Sequence, residues 1–117
     1  MSKLEKTILY TKLFNVYKDL LSNTQKEIIS DYYLMDLSFS EIAENRGISR
    51  SAAEDAVNKG TKKLEEYENK LKIVEKIQIL EQKLNILKEK SLNMKEIEEI
   101  EDIEKELEYY GIWIIDR

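Results

Sequence analysis

The sequence predicts an all-α protein, a helix-turn-helix head followed by a long-helix C-terminal hairpin arm. Three observations carry that expectation. The 117 residues include no proline and three glycines, with Leu, Ile, Glu and Lys mixed throughout, a composition that builds long helices and leaves few loops. The stretch from Ser38 to Leu64 carries the punctuation of two short helices meeting at a tight turn. From Leu64 onward, apolar residues recur at steps of three and four, the spacing of a helical stripe.

The first helix is expected over residues 4–21. Leu9, Leu13, Val16, Tyr17 and Leu20 form one apolar stripe, widened by Phe14 and Leu21, and it reads as core. Lys3, Lys6, Lys12 and Lys18 fall mostly on other faces and are expected in water. Ser22-Asn23-Thr24-Gln25 is a capping box, in which serine and glutamine each satisfy the other's free backbone N–H. The helix it starts runs to about Met35 and is expected to bury Ile28, Ile29, Tyr32 and Leu34 or Met35. Tyr32 and Tyr33 are adjacent, so they point apart. One is expected in the core, the other against the first helix with its hydroxyl in water.

After a short break at Asp36-Leu37, Ser38 and Glu41 form a second capping box. Ile42 and Ala43 give the apolar side of a helix ending near Asn45. Gly47 stands where the chain reverses, in a left-handed conformation that glycine adopts without steric cost. Ile48 is expected to plug the angle between the helices. Ser49 caps a second helix whose apolar positions are Ala53, Ala56, Val57 and Leu64.

No breaker interrupts Thr61 to Lys90, so this second helix is expected to continue to roughly 60 Å in total at 1.5 Å per residue. Leu64, Tyr67, Leu71 and Val74 set one rhythm; Ile73, Ile77, Leu80, Leu84 and Leu87 set another, slightly rotated. Such a stripe needs a partner. Ser91-Leu92-Asn93 suits a turn, Asn93 and Glu96 a third capping box, and Ile97, Ile100, Ile103, Leu107 and Tyr110 an apolar edge that can fold back. A second copy is the other partner, and a homodimer is expected. The domain division is placed at residues 1–66 for the head and 67–117 for the acidic arm. The apolar end, Gly111-Ile112-Trp113-Ile114-Ile115, is expected to dock on the hairpin or across a dimer seam; left exposed it is a partner-binding patch.

Composition also excludes chemistry. There is no cysteine and no histidine, which removes disulfides, thiol nucleophiles, histidine bases and the usual transition-metal sites. No glycine-rich phosphate loop is present. Glu98, Glu101 and Asp102 share a helical face, but solvated charge explains them. Neither an enzyme nor a cofactor is expected. No apolar run approaches the roughly 18 residues of a membrane span, and no signal-peptide core begins the chain, so a cytoplasmic protein without membrane insertion is expected. Net charge is −5: residues 1–66 carry ten basic and eleven acidic groups, residues 67–117 nine and thirteen. Nucleic-acid binders more often show a basic face, although a local patch can act alone.

That patch, if present, lies on the second helix of the pair. Its outward stripe is Ser51, Asp55, Asn58 and Lys62, with Glu54 and Lys59 at the edges. Arg50 suits guanine and Asn58 adenine. Lys59, Lys62 and Lys63 suit phosphates, and Arg46 in the turn can join them. Glu54 and Asp55 oppose this, and residues 49–63 net only +2. Gly60, costly inside a helix, marks either a close helix packing or a bend into the arm.

The runs Leu20-Leu21-Ser22-Asn23-Thr24-Gln25-Lys26 and Asp31-Tyr32-Tyr33-Leu34-Met35-Asp36-Leu37-Ser38, followed by Glu41-Ile42-Ala43-Glu44 and Ile48-Ser49-Arg50, resemble the YlxM family. The segment Lys12-Leu13-Phe14-Asn15-Val16-Tyr17 fits the same family's first helix. These are small bacterial proteins similar to the DNA-binding region 4 of sigma factors, and the resemblance covers roughly residues 4 to 75. It implies a sigma-region-4-like head. It also implies a regulatory or accessory role in the signal recognition particle pathway, beside whose GTPase genes the family is encoded, with that GTPase or its RNA as partner. The rival expectation is a transcription regulator that reads DNA with Arg50, Ser51, Asn58 and Lys62.

Overall fold

The computed structural model describes residues 1–91 and 93–108. Among these described residues six α-helices follow one another: α1 (Lys3–Tyr17), α2 (Asn23–Tyr33), α3 (Phe39–Arg46), α4 (Arg50–Leu71), α5 (Ile73–Lys90) and α6 (Met94–Glu108), with a 3-10 turn at Lys18–Leu20. Among the described residues there is no strand, and the chain is all-α as expected. It divides into two compact units, Met1–Leu71 and Lys72–Arg117.

In the first unit α4 packs against α1, α2 and α3. Leu13, Phe14 and Tyr17 of α1, Ile28 and Ile29 of α2, Ile42 and Ala43 of α3, and Ala53, Val57 and Leu64 of α4 are buried. The polar starts of the helices work as their residue spacing predicts. In both the Ser22–Gln25 and Ser38–Glu41 boxes, side chain and backbone N–H are satisfied reciprocally. Ser2 also caps α1, its Oγ accepting from the Glu5 N–H at 3.1 Å, through an S-x-x-E spacing that the sequence reading passed over.

Side chains depart from expectation where helices end. α1 closes at Tyr17, and the tighter 3-10 turn changes the angular phase. Leu21 is therefore buried while Leu20 stands 53% exposed. α2 closes at Tyr33, which leaves Leu34 and Met35 exposed instead of buried. Lys12, expected in water, is buried; a long alkyl stem lets lysine line a core edge. Ile48 does not plug the interhelical angle. Its N–H donates to the Ala43 carbonyl to finish the α3 turn, and its side chain remains exposed.

Tyrosine hydroxyls fasten the C-terminal half of α4 to its neighbours. Tyr10 donates to Glu65 at 3.1 Å, Tyr17 to Glu68 at 2.6 Å, and Tyr67 to the Leu20 carbonyl at 3.2 Å. Tyr33, which lies against Tyr10 of α1, shares a 3.0 Å bond with Thr61 where open water was expected. These bonds carry the first unit through Leu71, past residue 66 where the head was expected to end.

The continuous helix from Thr61 to Lys90 does not form. Lys72 takes a left-handed conformation (φ 56°) that ends α4 and starts α5.

In the second unit, α5 packs against α6, and Lys88 pairs with the buried Glu104 at 3.2 Å. Val74, Ile77 and Leu84 of α5 and Ile100 of α6 are buried. The start of α6 differs in detail from a capping box, because the Asn93 Oδ1 accepts from the Lys95 N–H at 2.8 Å. Tyr110 and the apolar end at 111–115 lie outside the described residues.

Candidate nucleic-acid interface

The site is built on α3, the turn at Gly47 and the first half of α4. Gly47 adopts φ 65°, its N–H bonded to the Ala43 carbonyl, so α3 stops cleanly and the chain swings into α4. Ser49 then caps α4, its Oγ accepting from the Ala52 N–H at 3.0 Å. Ala53, Val57, Gly60 and Leu64 face inward and are buried. The opposite face is exposed, and with it Ser51, Asp55, Asn58, Lys59, Lys62 and Lys63.

Gly60 resolves in favour of close packing. A Cβ at this position would stand 2.7 Å from Cδ1 and Cγ1 of Ile29, itself wholly buried. The missing side chain lets α4 sit directly on α2, which sets the seat of the outward stripe.

The charged candidates divide into three groups. Arg46 is turned away from the stripe and held by α2: its Nε and Nη2 meet Asp31 Oδ2 at 2.9 and 2.8 Å, and Nη1 meets Glu27 at 2.9 Å. Those hydrogen bonds to Asp31 and Glu27 push its pKa further up. Arg50 and Lys59 are exposed but are balanced on their own helix, Arg50 by Glu54 at 3.8 Å and Lys59 by Asp55 at 3.0 Å. Lys62 and Lys63 form the third group, exposed one turn further along. Ser51 is exposed beside Ser49, with their hydroxyls 3.3 Å apart. The structure thus brings Arg50, Ser51, Asn58, Lys59, Lys62 and Lys63 onto one helix and separates Arg46 from them.

An aromatic cluster beside the start of α4 was not among the expected site residues. Tyr32 lies parallel to Phe39 with centroids 5.0 Å apart and planes 6° apart, and Tyr33 meets Tyr32 edge-on at 4.9 Å. The Arg50 guanidinium stands 5.7 Å from the Phe39 centroid. The signal was available in the closeness of Tyr32, Tyr33 and Phe39 to a predicted helix-turn-helix. Among the described residues, no group of three or more Asp or Glu side chains is arranged to hold a metal ion. No described helix is long and apolar enough to cross a membrane.

Comparison with known proteins agrees with this architecture. Residues 4–106 match the family model UPF0122, described as "Putative helix-turn-helix protein, YlxM / p13 like". The UPF0122 protein YlxM of Bacillus subtilis is 42% identical over 105 residues, covering 90% of this chain and 96% of its own. A UPF0122 protein of Geobacillus sp. is 40% identical over 106 residues, with 90% and 96% covered. One from Malacoplasma penetrans is 38% identical over 80 residues, with 68% and 75% covered. No solved structure matches the chain. On the family model, which matches nearly the whole described chain, and on these relatives, this protein belongs to the UPF0122 family of YlxM / p13-like helix-turn-helix proteins.

Proposed function

We propose that this protein is a non-catalytic regulator of the signal recognition particle pathway, whose head contacts the targeting GTPase or its RNA. The pathway is what the family resemblance implies. The observation that favours a contact of this kind over groove reading is the charge balance of α4. The helix from Arg50 to Leu71 holds five basic and five acidic residues, and two of the cations are engaged by carboxylates one turn away. Phosphate neutralisation supplies most of the affinity of a duplex reader, and a neutral helix offers little of it.

The second reading is a DNA-binding regulator using Arg50, Ser51, Asn58 and Lys62. The exposure of that stripe on the second helix of a helix-turn-helix favours it. Salt separates the readings. DNA binding through this face would weaken steeply with salt and lose about one unit of slope when Lys62 or Lys63 becomes alanine. Unchanged DNA affinity in a quadruple alanine variant at Arg50, Lys59, Lys62 and Lys63 would remove the face from consideration.

A tagged pull-down from native extract, with and without nuclease, tests the leading proposal. Recovery of the targeting GTPase after nuclease supports direct protein contact, and recovery only without nuclease supports an RNA bridge. Recovery of discrete genomic fragments in its place supports the DNA reading.

A second copy remains the proposed partner for α5, where Ile73, Leu80 and Leu87 recur at heptad spacing and stay exposed.

A further inference from the structure

Beside the helix-turn-helix lies a groove of about 460 Å³ between α1, the end of α2 and the starts of α3 and α4. That volume falls in the range of sites that enclose a small ligand or one part of a larger one. Its walls are aromatic. Tyr10, Tyr32, Tyr33 and Phe39 line it, each half-buried, so the rings are fixed by packing and still reachable. The rings support one another: Tyr10 meets Tyr33 at 5.4 Å, Tyr33 meets Tyr32 at 4.9 Å, and Tyr32 stacks on Phe39.

Cations rim the aromatic floor. Lys3 and Lys6 come from the first turns of α1, and Arg50 comes from the first turn of α4. All three are exposed. Two carboxylates also line the groove, Asp36 and Glu41. Glu41 is committed to the α3 capping box, where it accepts from the Ser38 N–H at 3.1 Å. The rim therefore presents three positive groups against two negative ones, a net charge of +1, with Arg50 also 3.8 Å from Glu54 on its own helix.

We propose that this groove receives an unpaired nucleotide of a single-stranded nucleic acid, its base stacking among Tyr32, Tyr33 and Phe39 and its flanking phosphates meeting Lys3, Lys6 and Arg50. The combination of aromatic faces and a cationic rim is the one by which proteins hold single strands, stacking giving sequence-tolerant affinity and cations following the backbone. A duplex keeps its bases stacked inside and cannot fill such a groove. The inference deepens the proposed function by naming an RNA feature, a loop or bulge with splayed bases, that the head would grip. It does not use the outer stripe of α4 beyond Arg50.

The test uses the full chain and single-stranded oligonucleotides of mixed sequence carrying one 2-aminopurine, whose emission falls when the base stacks on an aromatic ring. RNA and DNA single strands distinguish the two sources of the same chemistry, and a duplex of equal length is the control. The expected result is quenching and saturable binding of single strands, with at least tenfold weaker binding of the duplex. Phe39→Leu and Tyr32→Leu should each weaken binding by roughly 5- to 150-fold, in line with loss of about 1–3 kcal/mol of stacking per base.

Should either aromatic variant fail to fold, the surface variants Lys3→Gln, Lys6→Gln and Arg50→Gln keep the test alive. Each should lower the salt dependence of single-strand binding by about 0.7 in log–log slope. Preference for duplex, absence of quenching, binding of acidic peptides in place of oligonucleotides, or salt slopes unchanged in all three surface variants would overturn the groove. Recovery of the targeting GTPase from extract with no single-strand binding would overturn the groove alone. Single-strand binding with no recovery of the GTPase or its RNA would overturn the pathway reading alone.

Discussion

Gly60 determines how closely α4 approaches α2, because its absent side chain leaves room for Ile29. Alanine there gains about 1 kcal/mol of helix propensity but forces a methyl group into a fully buried contact, which costs about 1–3 kcal/mol. Gly60→Ala should therefore destabilise the head by about 1 kcal/mol in urea unfolding, and adding Ile29→Val should restore part of the loss. Arg46 is also a fold residue by its geometry. Arg46→Ala should lower stability by about 1 kcal/mol through its exposed-edge ion pairs and leave nucleic-acid affinity unchanged, as a binding titration would report. The tyrosines predict an alkaline limit. Burial first, and the carboxylate of Glu65 second, raise the pKa of Tyr10, and burial raises that of Tyr33. Both phenols thus keep their proton in the folded state past the unfolded value of about 10. The stability this contributes is whole below pH about 10 and is lost as pH rises through the higher folded values. Thermal unfolding against pH should show that decline, and Tyr33→Phe should flatten it. At this scale the sequence revealed the cores of α1, α2 and α4 but not the roles of Arg46 or Phe39. Both depend on neighbours from another helix, and a single-strand pattern of residues contains no such contact.

At the scale of elements, the helix starts were the most legible feature, since a capping box is a local device whose two partners lie three residues apart. Ser22 and Ser38 close as boxes, and Asn93 caps through a nearer N–H. Helix ends were harder. α2 ends at Tyr33 and α4 at Leu71 with no glycine or proline to mark either. The break at Lys72 likewise has no glycine or proline to mark it. It yields a prediction whose sign is diagnostic. Because Lys72 occupies the left-handed region, Lys72→Gly relieves its strain and should raise stability by about 0.5–1 kcal/mol. In an uninterrupted helix the same change would lower stability by about 1 kcal/mol. Equilibrium unfolding of the two proteins decides between these outcomes.

For the whole molecule, the head carries two proposed binding features, the outer stripe of α4 and the aromatic groove, and in the second unit α5 keeps an apolar row exposed. If that row meets a second copy, Leu80→Lys with Leu87→Lys should convert a dimer to a monomer in sedimentation velocity while leaving helix content in place. The all-helical fold was legible because composition and periodicity agree at every helix. The partner is not legible in the same way, because a charge-balanced α4 is compatible with several kinds of contact and only chemistry at particular residues separates them. The most direct measurement is a titration of the purified full chain against the purified targeting GTPase, alone and assembled with its RNA, repeated with the quadruple alanine variant at Arg50, Lys59, Lys62 and Lys63. Saturable binding to at least one of the two forms is expected. Binding to neither form, alongside salt-sensitive binding of a DNA duplex that the variant loses, would contradict it.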